Sequence, residues 1–180
     1  MEVAQLVDLI IKTIGLMAIL TAVFQLFEAK KKRMVEMYWD ISKTYTSEEM
    51  QESRRALAQI TKELPLLNEY IEGKSKKNGL KEKVIDEYIS RFHNADDTSK
   101  QRQMDIKARA RMRFLNQVGV LVRKKIIDKD LVLTLIGPGF EIDYPVLEVL
   151  IESYRKAHAF PRLYSGVDFL YEEYLRWKNA

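Results

Sequence analysis

The sequence predicts an all-α protein: an N-terminal single transmembrane helix followed by a helical cytoplasmic domain. Three observations carry this reading. The stretch Val3–Phe27 holds only two charged residues, Asp8 and Lys12, and soon meets the basic run Lys30-Lys31-Lys32-Arg33. The remainder repeats apolar residues at spacings of three and four, the period of a helix with one buried face. No segment alternates with period two between hairpin turns, so strands are not required.

As a helix, Val3–Phe27 rises roughly 37 Å, enough for a hydrocarbon core of about 30 Å. Its uncharged part, Thr13–Phe27, reaches only about 22 Å, so the span depends on accommodating Asp8 and Lys12. These lie four apart with the acid first, the order in which one helical turn pairs them. Lys12 can also snorkel toward the outer headgroups. A cleaved signal peptide is the weaker reading, because Glu2 and Asp8 stand where positive charge belongs and no A-x-A-like site follows the core. A soluble amphipathic or buried helix is the other competitor, since the uncharged run has the length of a core helix. Acids before the span and four cations after it orient the N-terminus outside and the body in the cytoplasm of a prokaryotic cell. Residues 1–29 are thus expected to be the anchor and 30–180 the cytoplasmic domain, with Lys30, Lys31, Lys32 and Arg33 at the membrane interface.

The rest of the chain is long enough for one ordinary domain. With 47% hydrophobic and 31% charged residues it has a globular composition. The chain contains no cysteine, which excludes disulfides, thiolate nucleophiles and cysteine-based metal sites. Residues 1–29 hold one cation, Lys12, against Glu2, Asp8 and Glu28, so the net charge of +4 is carried entirely downstream. A basic domain suits an anionic leaflet and is too weakly charged to argue for nucleic acid on that ground alone.

The elements follow in order. Met34, Tyr38, Ile41 and Tyr45 extend the anchor helix beyond the basic run, with Tyr38 and Trp39 expected to pack. Thr46 with Glu49 three later is a capping-box signal for a helix to about Glu63, which Pro65 stops or restarts. Gly73–Gly79 is a polar loop. Leu80 to about His93 is amphipathic, with Val84, Tyr88, Ile89 and Phe92 inward. Asn94–Ser99 breaks and caps. A long helix, about Lys100–Lys125, carries Met104, Ala108, Met112, Leu115, Gly119 and Val122 on one side. Asp128 caps a short helix expected to end at Gly137-Pro138-Gly139. Another runs from Tyr144 to Ala159 with Pro145 in its first turn, and Phe169–Lys178 closes the chain. There is no internal repeat.

The stretch Phe114–Lys156 resembles the bacterial and archaeal family catalogued as domain of unknown function 4760. The similarity rests on Ser47-Glu48-Glu49 with Arg54 or Arg55, then on Phe114, Gly119, Leu121, Val122, Ile127, Asp128, Asp130, Leu131 and Val132. It continues in Arg155 and in Phe169, Leu170, Tyr171, Glu172 and Glu173. The resemblance implies a membrane helix followed by a helical domain and brings no activity. Read physically, Gly119 admits a close helix, Asp128 caps, and Leu131, Val132 and Leu135 fold back on the long helix as a helical hairpin.

Candidate chemistry is sparse. His93 with Asp96 and Asp97 reads as a cap and a solvated turn rather than a metal site, and His158 as a cation suited to a helix C-terminus. Gly137-Pro138-Gly139 lacks the phosphate-loop pattern, and no serine or threonine sits in a nucleophile elbow. No catalytic residue, metal, cofactor or small-molecule substrate is expected. The basic helix sets Lys100, Arg102, Lys107, Arg109, Arg111, Arg113, Arg123, Lys124 and Lys125 against one acid, Asp105. One arc of it, Arg102, Arg109, Arg113 and Lys124, is the candidate contact for an acidic partner, with lysine and arginine stems covering core surface as the plainer alternative. The expected function is a non-enzymatic accessory or scaffold protein that binds a membrane protein or a second copy. The alternative is a membrane-tethered binder of nucleic acid or anionic lipid through helix 100–125.

Overall fold

The computed structural model describes residues 3–73 and 79–180, with side chains from residue 13 onward. The expected Asp8–Lys12 pairing and the polar stretch 74–78 lie outside what is described. Among the described residues the fold is all-helical: α1 (Val3–Tyr45), α2 (Glu48–Glu63), α3 (Pro65–Ile71), α4 (Leu80–Tyr88), α5 (Lys100–Arg123), α6 (Lys129–His158) and α7 (Ser165–Lys178). A π-turn, Ile89–His93, continues α4. The chain divides into two units, Met1–Trp39 and Asp40–Ala180.

In the second unit α5 is the axis, packing chiefly against α2 and α7, while α4 packs on α6. Every residue of the expected α5 stripe, from Met104 to Val122, is buried. Lys107 meets Glu52 at 3.0 Å and Lys100 meets Glu63 at 3.3 Å, so α2 runs antiparallel to α5. Leu57, Ile60, Leu64, Leu67, Val84, Phe92, Met112 and Leu115 fill the core, each contributing roughly 1.5–3 kcal/mol by leaving water. Caps set the helix starts. Ser47, rather than Thr46, accepts from the Met50 amide; Ser99 accepts from Arg102 and Asp128 from Leu131. Thr46 turns its hydroxyl back to the Ser42 carbonyl at 3.0 Å.

Several expectations are corrected. The Gly137-Pro138-Gly139 stop does not occur, and α6 runs unbroken from Lys129 to His158 with Pro138 and Pro145 inside it. An interior proline costs about 3 kcal/mol, but Ile136, Phe140, Leu147 and Leu150 are fully buried at helical spacing across both prolines. Their burial outweighs the lost backbone bonds. The glycines serve packing instead: a Cβ on Gly137 would stand 2.8 Å from the Tyr174 ring. The last helix starts at Ser165, not Phe169, because Gly166 lies against the Asn116 backbone and its amide donates to Asn116 Oδ1 at 2.9 Å.

The second correction concerns the hairpin. Gly119 does admit a close helix, but that helix is α7, whose Gly166 carbonyl occupies the place of a Cβ on Gly119. Leu131 is half exposed, while Val132 and Leu133 are buried. The third concerns Trp39, which is 66% exposed, touching Tyr38 edge-on rather than packing inward.

The glycine contact yields a direct prediction. Gly119→Ala forces α5 and α7 apart and lowers the unfolding free energy by about 1–3 kcal/mol, read as a fall in denaturant midpoint. An unchanged midpoint would contradict the contact.

Candidate functional site

The first candidate surface is the apolar part of α1. Ile14, Met17, Ile19, Leu20, Phe24, Leu26 and Phe27 are all more than half exposed. Thr21 satisfies its hydroxyl on the Met17 carbonyl at 2.8 Å. The helix that carries it, described with side chains over Thr13–Tyr45, is long and apolar enough to cross a membrane, with a mean hydropathy of 1.4 in its apolar window and none of that window buried. Apolar area on this scale left in water opposes solubility by roughly 25 cal/mol per Å². Lys30, Lys31, Lys32 and Arg33 follow on the same helix, all exposed.

The basic helix α5 looks different in three dimensions from its sequence. Arg102 and Arg109 turn onto Asp105, at 3.0 and 3.4 Å, with Arg102 also donating to Asp97 and to the His93 carbonyl. Arg123 donates to the Ser165 carbonyl and lies 4.7 Å from the Phe169 ring. Arg113 and Lys124 are exposed and make no ion pair among the described residues. The expected arc is therefore split: two members face an internal acid and two face solvent.

Asp105 is the centre of this arrangement. It is fully buried, and Tyr88 donates to its Oδ1 at 2.6 Å while the Tyr154 hydroxyl donates to the same oxygen. Two phenols and two guanidiniums thus share one carboxylate and join α4, α5 and α6. Burial pushes both phenols well above their ordinary pKa, reinforced by the Asp105 charge. Its one sequence signal was its position: a lone acid between Met104 and Ala108, in register with the apolar face.

His93, at the end of the π-turn, stands edge-on to Tyr154 and to His158, ring centroids 4.8 and 5.4 Å away. Burial holds its pKa below the ordinary 6.5; Asp105 pulls it up, while Arg102, His158 and Arg109 push it down. Asp96 accepts from the Thr98 amide and hydroxyl, and Asp97 takes Arg102. The three therefore do not converge. Among the described residues no group of three or more His, Asp or Glu side chains is placed to hold a metal ion.

A second polar cluster lies where α2, α5 and α6 meet. Arg111 is wholly buried and pairs with Asp143, and Arg54 stands 3.7 Å from the same carboxylate. Both guanidiniums lie on the Tyr45 ring, 4.7 Å from its centroid for Arg54 and 5.3 Å for Arg111. Tyr45 accepts from Arg54 and donates to the Ile136 carbonyl at 3.3 Å. Gly139 leaves the room these groups fill, since a Cβ there would collide with Arg54 and sit 2.6 Å from the Tyr45 hydroxyl. Burial raises the Asp143 pKa against the downward pull of Arg111 and Arg54. In the sequence Arg111 is one of nine cations of the basic helix, and nothing in the pattern marks it as interior.

A family model, Domain of unknown function (DUF4760), matches residues 12–177. The chain belongs to this family. No curated protein matches it, and no solved structure does. The DUF4760 match runs from within α1 into the last turn of α7, so it takes in the exposed apolar helix and the helical body together. The residues that suggested the family have structural places. Ser47 caps α2, Arg54 enters the buried cluster while Arg55 is exposed, and Phe114 lies 6.2 Å from the Tyr45 ring. Arg155 pairs with Glu152 and Asp168, and Glu173 with Lys129.

Two tests follow. Asp105→Ala strands two guanidiniums and two phenols and costs about 3–5 kcal/mol of stability, measurable by chemical unfolding. A loss below about 1 kcal/mol would contradict the hub. Because folding lowers the His93 pKa, the unfolded chain binds a proton first as pH falls. Its contribution is complete above about 6.5 and is lost on acidification below that value. His93→Gln flattens this part of the stability–pH curve, and an unaltered slope would contradict it.

Proposed function

We propose that this is a membrane-anchored, non-enzymatic accessory or scaffold protein. Residues 1–29 span a prokaryotic cytoplasmic membrane with the N-terminus outside. Lys30, Lys31, Lys32 and Arg33 lie at the inner interface, and the helical domain 30–180 is in the cytoplasm. The observation that carries this reading is the wholly exposed apolar length of α1 followed by that basic run. In a bilayer the same surface is satisfied rather than penalised.

Binding rather than catalysis is supported by how the body spends its polar groups. Its buried charges are engaged in ion pairs within the fold, Asp105 with Arg102 and Arg109 along α5 and Arg111 with Asp143 between α5 and α6. A partner is supported by the span itself, where Asp8, Lys12 and Gln25 are costly against lipid and a neighbouring helix would shelter them. The partner is a membrane protein assembly or a second copy of the chain. A second reading, contact with anionic lipid, is favoured by exposed Arg113 and Lys124. Nucleic acid is the weaker form of it, because Lys100, Arg102, Lys107, Arg109 and Arg111 already meet acids within the fold.

Gentle detergent extraction, sizing and mass spectrometry test the accessory role. A stoichiometric membrane partner or a homo-oligomer is expected, and a stable lone monomer would overturn it. Orientation is tested by single cysteines in this cysteine-free chain. Glu2→Cys should react with an impermeant maleimide in intact cells, and Asn179→Cys only after permeabilisation. The reverse pattern would overturn the topology.

A further inference from the structure

The geometry points to an oxyanion-binding site formed by Arg54 and Arg111, taking one phosphate or carboxylate group of a ligand. Two guanidiniums from different helices converge on a single carboxylate, Asp143, so the cluster holds one cation more than its acids balance. Arg111 is 0% exposed, and its Nε and Nη1 make no hydrogen bond among the described residues. A guanidinium carries five donors in a planar fork. Inside a protein such donors are almost always matched.

Three further acids on α2 and α6 are held by other partners. Glu141, on the same helix as Asp143, accepts from Tyr174 at 2.7 Å and pairs with Lys178. Glu148 accepts from Tyr70 at 3.1 Å and pairs with Lys81 at 2.7 Å. Glu52 is held by Lys107. The Tyr45 hydroxyl is committed to Arg54 and to the Ile136 carbonyl, which fixes the ring beneath both cations without neutralising them.

The site is reachable. The Arg54 side chain is 31% exposed and Asp143 14%, so the cluster opens on the Arg54 side while Arg111 forms its floor. An oxyanion entering beside Asp143 would take up the open donors of the two forks, the geometry in which guanidinium recognises phosphate and carboxylate. Gly139 lets the Arg54 guanidinium and the Tyr45 hydroxyl pack directly on the α6 backbone, which sets where the Arg54 fork stands.

The full chain in detergent, titrated calorimetrically with inorganic phosphate and separately with acetate at constant ionic strength in chloride, tests this. Saturable binding of either anion is expected, with a matching rise in the unfolding midpoint. Preference for phosphate assigns a phosphoryl group; an equal or stronger response to acetate assigns a carboxylate. Arg54→Gln should weaken binding by about tenfold or more, while Arg55→Gln, one position away and exposed, should leave it unchanged. Asp143→Asn removes the internal counterion, so its unfolding midpoint should rise more with phosphate than that of the native chain. No saturable binding, equal binding by Arg54→Gln, or a smaller midpoint rise for Asp143→Asn would each overturn the site.

Discussion

The helical body depends on one buried carboxylate. Asp105 sits on the apolar face of α5, where an unpaired charge would cost several kcal/mol, and it is stable there because two phenols and two guanidiniums converge on it. Those donors come from three helices. Fixing Asp105 therefore fixes how α4 and α6 approach α5, and it turns Arg102 and Arg109 from solvent toward the core. The same interaction governs the π-turn, since Tyr88 precedes it and Arg102 holds the His93 carbonyl at its end. Burial of Tyr88, Tyr154 and Phe92 around this centre supplies the apolar part of the same joint.

A second polar centre of opposite sign lies on the same helix, about 9 Å further along its axis. There α5 presents a cation, Arg111, and α6 the acid, Asp143. Both centres are anchored by aromatic rings, Tyr88 and Tyr154 at the first and Tyr45 at the second. They differ in how the cations are met: Arg102 also reaches Asp97 and the His93 carbonyl, whereas Arg111 Nε and Nη1 make no hydrogen bond among the described residues. Between and beyond them, close packing of Gly119 and Gly166 brings α7 against α5. A single central helix thus organises its neighbours through a charge, a countercharge and a glycine.

Much of this was legible in the sequence. The α5 stripe, the caps Ser99 and Asp128, the restart at Pro65 and the all-helical class follow from apolar period and cap chemistry, which are local. The misread positions are those where a distant residue decides. Gly137-Pro138-Gly139 is a helix stop by local rules, yet Tyr174, Arg54 and Tyr45 pack into the space its glycines leave. Tyr164 enters α7 in a left-handed conformation, φ 58°, which no local signal announces. Arg111 reads as one more cation of the basic helix, and only the approach of Asp143 from α6 makes it interior. The polar clusters were illegible for the same reason: each joins residues far apart in the chain, and periodicity carries no information about which acid meets which base.

The two units answer different physical demands. The body gathers most of its large apolar side chains into a buried core; α1 leaves its apolar side chains uncovered along Ile14–Phe27. The proposed membrane insertion would reconcile the two, and alkaline carbonate washing of membranes from cells making the full chain tests that most directly. The account predicts that the protein stays in the membrane pellet and is released only by detergent. Quantitative release into the supernatant would mean that α1 is covered by protein rather than lipid, and would contradict the anchor.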